Sequence, residues 1–358
     1  MIGVGLIGFG LAGRAFHAAV ISAVPGLRLA AIVQRTGSEA AARYPEVPLL
    51  HSVDELIARS DVRLVVVATP NATHYEFARL ALEAGKDVLV DKPFTTNMED
   101  AISLVKLAKE RRRLLTVYQN RRYDGDFQAI RQLVVDGALG RIVRFETSYD
   151  RFRPALKPGG VWREVAGAGA GVFFDLAPHL IDHALVLFGL PEAITADIRV
   201  ERERATVDDA FDVMLHYPSG LRAVLRSTML AAAIRPRFVL HGTKGAFVKQ
   251  AFDPQEDNLR HDRIPASGPW GAEPEENWGV LTRFEQGELN GTRVPPSTCD
   301  YRDFYANLRD AILGRAALAV SPNWALDVMQ LMMLAHESSE TRRTVLGALR
   351  ATPDPQIR

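Results

Sequence analysis

Cysteine is almost absent from this sequence: Cys299 is the only one among 358 residues. A single cysteine forms no disulfide within the chain, and no cysteine cluster exists to hold a structural metal. A chain without disulfides fits a reducing compartment. We therefore expect a cytoplasmic protein that contains no metal.

Net charge and long apolar runs are also lacking. The 43 basic residues balance 43 acidic ones, so no overall field attracts the chain to nucleic acid or to an anionic membrane. No segment approaches the roughly 18 uninterrupted apolar residues that a membrane span requires. Residues 1–10 also lack the basic region and cleavage site of a signal peptide. The expected partner is a small molecule.

The length and patterning of the chain predict two domains. A chain of 358 residues exceeds one ordinary domain of roughly 100 to 200 residues, and we place the domains at residues 1–121 and 122–358. In the first, strand and helix patterns alternate, which predicts a doubly wound parallel sheet of the Rossmann type. The predicted strands are residues 2–7, 27–33, 64–68, 87–90 and 114–117, and the predicted helices are residues 13–23, 38–43, 53–58, 73–84 and 97–111.

The alternation stops after residue 118. Consecutive strand patterns separated by turn residues predict an α+β domain with a large, mainly antiparallel open sheet. Its predicted strands are residues 142–149, 193–201, 210–217, 223–229 and 238–241, and its predicted helices are residues 126–136, 174–188, 301–313 and 324–343. A glycine-rich loop is expected at residues 158–171 and long loops at residues 253–296. The last helix is free to pack back on the first domain.

A glycine motif follows the first predicted strand. Its residues are Gly8-Phe9-Gly10-Leu11-Ala12-Gly13, the spacing of a dinucleotide-binding fingerprint. The first glycine permits a tight turn, the second lets the backbone approach a pyrophosphate, and the third lets helix and strand pack closely. The helix N-terminus then faces the phosphates. An incidental glycine-rich turn is the alternative interpretation.

The end of the second predicted strand favours NADP over NAD. An NAD site usually places an acidic residue about 20 residues after the fingerprint, whereas residues 14–38 contain no Asp or Glu. The strand ends in Gln34-Arg35-Thr36. Arg35 can pair with a 2′-phosphate and Thr36 can donate a hydrogen bond to it. If Arg35 is only a solvated loop charge, NAD is also possible.

Two further motifs carry residues suited to chemistry. Asp91-Lys92-Pro93 places a lysine at the carboxyl end of a strand, where open parallel sheets bind ligands. Asp175 and His179 are four residues apart and share one helix face. Each feature alone is common, since surface lysines and core histidines abound. Asp175, His179 and His183 recur every four residues on one helix face. This spacing could instead offer a carboxylate and two imidazoles to a metal ion, which is the alternative interpretation.

In order and spacing, these three motifs resemble the glucose-fructose oxidoreductase, inositol dehydrogenase and rhizopine-catabolism family. The resemblance covers nearly the whole chain and implies metal-free catalysis and a homodimer or homotetramer assembled through the C-terminal sheet. Residues 5–13, 118–122 and 150–154 are similar to the branch of NADP-dependent scyllo-inositol dehydrogenases. The sequence departs from that branch at Tyr123, where a tryptophan is expected, and at His183, where glutamine is frequent. Which polyol or sugar is used therefore stays open.

The resemblance assigns roles to the motif residues. Oxidation of an alcohol removes the hydroxyl proton as hydride leaves for the nicotinamide. His179 suits the base role near neutral pH, Lys92 can stabilise charge on the reacting oxygen, and Asp175 can accept from a neighbouring hydroxyl. The expected substrate contacts are Lys92, Tyr123, Tyr149, Arg151, Asp175 and His179. Beyond the fingerprint and Gln34-Arg35-Thr36, the expected cofactor contacts are Thr69, Pro70, Asn71, His74, Asp91, Lys92, Gln119, Trp162 and Arg163.

Three functions fit these residues. The leading hypothesis is an NADP-dependent dehydrogenase that acts on a ring carbon of an inositol or related polyol. A sugar 1-dehydrogenase or keto-sugar reductase would use the same residues on another substrate. A nicotinamide-binding sensor without catalysis belongs to a different class, because a fold does not guarantee activity, but such a protein would have no chemical need for Lys92, Asp175 and His179 together.

Overall fold

The computed structural model describes residues 1–157, 161–263 and 270–347. Parts of three predicted segments lie outside the described residues: 158–160 of the glycine-rich loop, 264–269 of the long loops and 348–358 of the second domain. The chain divides into two compact units. The first unit consists of Met1–Asn120, Pro254–Trp270 and Asp300–Met329, and the second of Arg121–Asp253, Gly271–Cys299 and Gln330–Arg358.

The first unit contains a six-stranded parallel sheet with strand order β3-β2-β1-β4-β5-β6. Short runs of Val, Ile and Leu form its central strands, which are buried along their whole length, as expected for a parallel sheet covered on both faces. The predicted Rossmann sheet is confirmed. Its strands are β1 (Ile2–Ile7), β2 (Leu27–Val33), β3 (Leu49–Leu50), β4 (Leu64–Val67), β5 (Asp87–Val90) and β6 (Leu115–Val117).

Helices connect these strands, and two of them, the third and the fifth, begin at a polar side chain that caps the first turn. The side chain of Ser52 accepts a hydrogen bond from the Asp54 amide, and that of Asn97 accepts one from the Asp100 amide, which satisfies N–H groups that a helix leaves unpaired. The first helix is π-helical over Ala12–Ala18 and continues as α1 (Ala19–Ser22). The others are α2 (Glu39–Arg43), α3 (Val53–Ile57), α4 (His74–Glu83) and α5 (Met98–Arg111).

Two segments distant in sequence also belong to the first unit. They contain α8 (Gln255–Arg260) and α9 (Tyr301–Ile312). Aromatic packing accounts for the position of α9, because the rings of Tyr118 and Phe304 meet edge to face with centroids 4.9 Å apart. The compact units therefore differ from the continuous ranges 1–121 and 122–358.

The second unit contains a nine-stranded sheet with strand order β14-β13-β12-β11-β7-β10-β9-β8-β15. Only the neighbours β7 and β10 are parallel, so the predicted mainly antiparallel sheet is confirmed. Its strands are β7 (Ile142–Ser148), β8 (Ala193–Arg199), β9 (Ala210–His216), β10 (Arg222–Thr228), β11 (Phe238–Gly242), β12 (Gly245–Lys249), β13 (Gly279–Glu285), β14 (Glu288–Val294) and β15 (Val345–Leu346). The remaining α-helices of the described residues are α6 (Gly125–Val135) and α7 (Gly171–Phe188) in the second unit, and α10 (Pro322–Thr341), whose first residues are assigned to the first unit and whose last residues are assigned to the second.

The prediction of long loops at residues 253–296 was wrong for much of that segment. It contains α8 and the hairpin β13–β14, whose strands pair from Gly279↔Val294 to Glu285↔Glu288. Strand β14 lies at the sheet edge and is exposed along nearly its whole length, so it shows no apolar alternation. The turn residues Gln286 and Gly287 both have positive φ, 56° and 88°, as a two-residue type I′ hairpin turn requires.

Helix α7 carries two of the predicted catalytic residues through the core of the second unit. Most of its residues are buried. It is the one helix of the described ranges with the length and hydropathy of a membrane span, but 78% of it is buried within the structure. Such burial is typical of a core helix.

A buried ion pair attaches α7 to the turn that opens the second unit. The guanidinium of Arg122 donates from Nε and Nη2 to the two carboxylate oxygens of Asp182, each at 2.7 Å. The two side chains are only 10% and 1% exposed. Removing one partner of a buried pair leaves the other charge without compensation.

We expect Arg122→Met to lower the free energy of unfolding by about 3 kcal/mol, because the buried Asp182 carboxylate then loses the positive charge of Arg122 and two hydrogen bonds. The double variant Arg122→Met/Asp182→Leu should regain most of this loss. Urea unfolding measures both. Arg283→Met, which removes an exposed ion pair with Glu285, is the control and should change stability by less than about 1 kcal/mol. Equal losses in Arg122→Met and Arg283→Met would contradict the prediction.

Candidate functional site

The glycine motif forms a tight strand-to-helix connection in the first unit. Gly8 follows β1 with φ of 99°, and a Cβ there would lie 2.6 Å from the Ala68 carbonyl oxygen. A Cβ on Gly13 would lie 2.0 Å from the Gly8 carbonyl oxygen, whereas a Cβ on Gly10 would meet no atom within 4 Å. The first and third glycines are thus required by the protein's own backbone. The second leaves open space beside it, where a phosphate group could approach.

The end of β2 presents the residues predicted to select the cofactor. Gln34 is held in place: its amide donates to the Leu50 carbonyl at 3.0 Å, and its side-chain oxygen accepts from the Ala40 amide at 2.9 Å. Arg35 and Thr36, which come next, are exposed. A fixed backbone followed by two exposed polar side chains suits recognition of a ligand at the carboxyl end of β2.

His74 holds together two segments of predicted cofactor contacts. Its Nδ1 lies 2.8 Å from the Pro93 carbonyl oxygen and its Nε2 lies 3.0 Å from the Thr69 carbonyl oxygen. The ring is 1% exposed, and burial lowers its pKa below the usual value. A neutral ring carries one N–H, so it donates to one carbonyl at a time. His74 therefore contacts the chain rather than solvent, between the turn at Thr69-Pro70-Asn71 and the segment that follows Lys92.

Asp91 lies beside Lys92 in an electrostatic setting that the sequence did not reveal. One Asp91 oxygen accepts the Lys92 amide at 2.8 Å, and the other lies 3.9 Å from Nε2 of buried His17. The opposite ring nitrogen of His17 is 2.6 Å from the Tyr305 hydroxyl. Burial acts to raise the pKa of Asp91, but nearby His17 and Lys92 outweigh it and hold that pKa below its usual value. Lys92 therefore has an ionised carboxylate as its neighbour.

Gln119, another predicted cofactor contact, is 2% exposed. Within the ranges that the structure describes, its side-chain oxygen Oε1 has no hydrogen-bond partner. Buried polar atoms are normally paired. An acceptor left over at this position is consistent with its predicted contact to a ligand.

In the second unit the structure brings three predicted site residues together. Nε of Arg163 lies 3.3 Å from Oδ1 of Asp175 on α7. The Arg163 guanidinium also lies over the Trp162 ring, 4.4 Å from its centroid. His179 follows Asp175 by one helical turn and is 5% exposed. Arg163, Trp162 and Asp175 thus form one cluster on and beside α7.

The predicted substrate contacts Tyr149 and Arg151 also lie together. Nη2 of Arg121 donates to the Tyr149 hydroxyl at 2.7 Å, and the Arg151 guanidinium lies 5.0 Å from the ring centroid. Tyr149 itself is 6% exposed. Tyr123 lies in a separate turn, where its carbonyl oxygen accepts a weak hydrogen bond from the Cys299 thiol at 3.7 Å.

His183 is a core residue. Its ring stacks on Phe127 with centroids 4.1 Å apart, and its Nε2 lies 3.1 Å from the Arg121 carbonyl oxygen. Burial holds the pKa of His183 well below its usual value. Among the residues that the structure describes, no group of three or more His, Cys, Asp or Glu side chains is arranged to hold a metal ion.

Comparison with known proteins places both units in one family. Residues 2–119 match the model of the oxidoreductase family with an NAD-binding Rossmann fold. Residues 127–248 match the GFO/IDH/MocA C-terminal domain. The chain belongs to the GFO/IDH/MocA family of oxidoreductases.

Relatives of this GFO/IDH/MocA protein extend over nearly its full length. The uncharacterized oxidoreductase YdgJ of Escherichia coli (strain K12) is 41% identical, over 96% of this chain and 98% of YdgJ. The scyllo-inositol 2-dehydrogenase (NADP(+)) IolW of Bacillus subtilis (strain 168) is 34% identical, over 96% of each chain. A solved structure of yvaA from Bacillus subtilis superposes with a TM-score of 0.92 at 34% identity, covering 96% of this chain and 98% of yvaA.

The geometry of the glycine motif fits the dinucleotide that the family binds. The open space at Gly10 is where a pyrophosphate would lie against backbone. The helix that begins at Ala12 directs N–H groups and its dipole toward that space. The chain is therefore an oxidoreductase with a Rossmann domain that binds a nicotinamide dinucleotide.

Two glycine variants separate the fold from cofactor binding. Gly13→Ala should destabilise the first unit strongly, because the new methyl group meets the Gly8 carbonyl oxygen at 2.0 Å. Gly10→Ala should leave thermal stability unchanged and weaken dinucleotide binding by at least about tenfold, because the methyl group occupies the space for phosphate. Thermal melting and fluorescence titration with NADPH measure the two effects. Normal NADPH affinity in Gly10→Ala would contradict the assignment.

The N-terminus of α7 provides a pH-dependent prediction. The Phe173 amide donates to Oδ1 of Asp208 at 2.6 Å, yet burial raises the pKa of Asp208 to about 6 from its ordinary 3.8. The folded state therefore binds this proton more tightly than the unfolded state. Its stabilising contribution is complete below about pH 4 and is lost as the pH rises through about 6.

We expect the stability of the wild-type protein relative to Asp208→Asn to fall by up to about 3 kcal/mol between pH 4 and pH 7, since a shift of one pKa unit corresponds to about 1.4 kcal/mol. The asparagine does not titrate, so the difference between the two proteins isolates this carboxyl group. Urea unfolding across that range measures it. Parallel pH profiles for the two proteins would show that Asp208 has an ordinary pKa.

Proposed function

We propose that this oxidoreductase transfers a hydride between NADP and a ring carbon of an inositol or a related polyol. The observation that carries the proposal is the full-length similarity to IolW, whose name states a scyllo-inositol 2-dehydrogenase that uses NADP. An inositol 2-dehydrogenase of Rhizobium meliloti (strain 1021) is also similar, at 29% identity over 80% of this chain. Both support a cyclic polyol as the substrate class.

The proposed roles follow from the chemistry of each side chain. His179 accepts the proton of the reacting hydroxyl, because imidazole titrates near neutral pH. Lys92 donates a hydrogen bond to the same oxygen and stabilises its developing negative charge. Asp175, held by Arg163 at 3.3 Å, accepts a hydrogen bond from a neighbouring hydroxyl. The bound nicotinamide supplies the hydride chemistry.

The preference for NADP rests on the end of β2. Residues 14–38 contain no carboxylate that could accept a hydrogen bond from the ribose 2′-hydroxyl of NAD. Arg35 and Thr36 are exposed there and provide donors for a 2′-phosphate. The absence of an acidic residue and the presence of a cation favour the phosphorylated cofactor on separate grounds.

A sugar 1-dehydrogenase or keto-sugar reductase is the second candidate. A 1,5-anhydro-D-fructose reductase of Ensifer adhaerens is 30% identical, but over only 55% of this chain and 60% of its own. The shorter match makes this candidate the weaker of the two. The same side chains would move the proton and orient the substrate, and the nicotinamide would again supply the hydride chemistry, on a different sugar.

We also propose a cytoplasmic location and a homodimer or homotetramer formed through the nine-stranded sheet. The single cysteine supports a reducing compartment. The family resemblance supports the assembly.

Arg35→Ala should weaken NADP binding by about 5- to 100-fold and leave NAD binding nearly unchanged, since a charge-assisted contact contributes roughly 1 to 3 kcal/mol. Titration of both cofactors measures this. Arg111→Ala, which removes an exposed arginine at the end of α5, is the control. Equal losses for the two cofactors would remove the assignment of Arg35 to the 2′-phosphate.

The proposed reaction predicts NADP reduction, measured at 340 nm, with scyllo-inositol or myo-inositol and little with NAD. His179→Asn should lower kcat by about 100- to 10,000-fold, because general base catalysis is lost, with unchanged NADPH affinity. His241→Asn, at an exposed histidine of β11, should retain activity. Turnover of aldoses but not of inositols would favour the second candidate.

A further inference from the structure

One loop of the second unit holds both elements that carry the Arg163–Asp175 contact. This loop, residues 200–209 between β8 and β9, ends in two adjacent carboxylates, Asp208 and Asp209. Neither was predicted to have a role. The two carboxylates bind different partners, and each partner leads to a different side of the contact.

Asp208 holds the start of α7. Its Oδ1 accepts the Phe173 amide at 2.6 Å, and its carbonyl oxygen accepts the Val172 amide at 3.0 Å. A Cβ on Gly171, whose φ is 93°, would lie 1.9 Å from the Asp208 carboxylate. The helix thus begins at a glycine because any larger residue at position 171 would collide with the Asp208 carboxylate. That carboxylate serves as its N-cap, because Ala170 before it has no acceptor on its side chain.

Asp209 holds the turn that carries Arg163, by way of Arg202. Its carboxylate accepts the Glu201 amide at 2.7 Å and Nε of Arg202 at 2.9 Å. Nη1 of Arg202 donates in turn to Glu164 at 2.9 Å. The second Glu164 oxygen accepts the Lys157 amide at 3.0 Å. The Arg202 guanidinium therefore joins the two segments: Nε donates to Asp209 in the loop, and Nη1 donates to Glu164 in the turn.

The burial of this network distinguishes it from ordinary surface ion pairs. The Arg202 and Asp209 side chains are 3% and 0% exposed, and the Glu164 side chain is 17% exposed. Exposed pairs contribute roughly 0 to 1 kcal/mol, whereas desolvated, hydrogen-bonded charges fix geometry firmly. Arg163, the residue before Glu164, then reaches Asp175 at 3.3 Å.

We propose that residues 200–209 are a positioning element for the substrate site, with Asp208 setting the start of α7 and Asp209–Arg202–Glu164 setting Arg163 against Asp175. The proposal rests on the proposed function, in which Asp175 contacts the substrate. Small displacements of groups that orient a substrate are costly, since about 1 Å can lower the rate about 100-fold. Arg202 and Glu164 act through Arg163 and are positioning residues.

A double-mutant cycle tests this on the full-length enzyme. Glu164→Gln keeps the size of the side chain but removes the charge that Arg202 contacts. It should lower kcat/KM for the inositol substrate about tenfold, with an unchanged melting temperature. Arg163→Met should lower it further, and the double variant should equal Arg163→Met, because Glu164 acts through Arg163. If the loss in the double variant equals the product of the two single losses, the two residues act independently and the proposal is overturned. An unchanged kcat/KM in Glu164→Gln would overturn it as well.

Two further comparisons serve as controls. Glu201→Gln, in the same loop but outside the Arg202–Glu164 contact, should keep wild-type kinetics. Arg202→Lys should retain more activity than Arg202→Met, because it keeps the charge beside the buried Asp209 carboxylate. Arg202→Met should also melt at a lower temperature, so kcat/KM is compared well below both melting temperatures. Identical activity in Arg202→Lys and Arg202→Met would overturn the proposal.

A wild-type enzyme that turns over no polyol would defeat the proposed function without deciding this inference. Amide hydrogen exchange then decides it. Exchange at residues 161–165 should be faster in Glu164→Gln than in Glu201→Gln. Equal exchange in the two variants would overturn the positioning role.

Discussion

The backbone approach at the glycine motif is the constraint on which the first unit depends. The helix after β1 passes so close to the strand end that a Cβ on Gly13 would lie 2.0 Å from the Gly8 carbonyl oxygen. This approach fixes the direction of the helix and leaves the space beside Gly10 open. It also places His17, one turn beyond Gly13, against the Asp91 carboxylate at 3.9 Å. Cofactor space and the environment of Lys92 therefore follow from one backbone contact.

In the second unit, charge plays the part that close packing plays in the first. Helix α7 is largely apolar and buried, and a few polar contacts add direction to that packing. Asp208 binds its start, and Arg122 binds Asp182 near its end with two hydrogen bonds of 2.7 Å. Asp175 and His179 lie between these two attachments. The core helix with the predicted catalytic residues is thus held by a carboxylate cap at its start and by an ion pair further along.

Much of this fold could be predicted from the sequence, and particular residues show why. Apolar runs such as Ile2–Ile7 and Leu64–Val67 are nearly unbroken, which is typical of parallel strands buried on both faces. The glycine spacing of 8, 10 and 13 predicted the turn for the reasons that the structure shows. The hairpin β13–β14 was missed because an exposed edge strand needs no apolar alternation.

The parts of the candidate site that escaped prediction depend on long-range contacts. Tyr305 reaches His17 across 288 positions of the sequence, and no local pattern relates the two. Asp208 caps a helix that begins 37 residues earlier, at Gly171, and its role depends on the glycine rather than on any motif of its own. Only the position of each side chain in the folded unit reveals these contacts.

The central claim is that hydride leaves a ring carbon of a cyclic polyol for NADP. The most direct measurement uses scyllo-inositol deuterated at its ring carbons and follows the label into the reduced cofactor by mass spectrometry. The account predicts one deuterium on the NADPH formed and a primary isotope effect on single-turnover reduction. NADPH that forms without deuterium, or no reduction of NADP by any inositol, would contradict it.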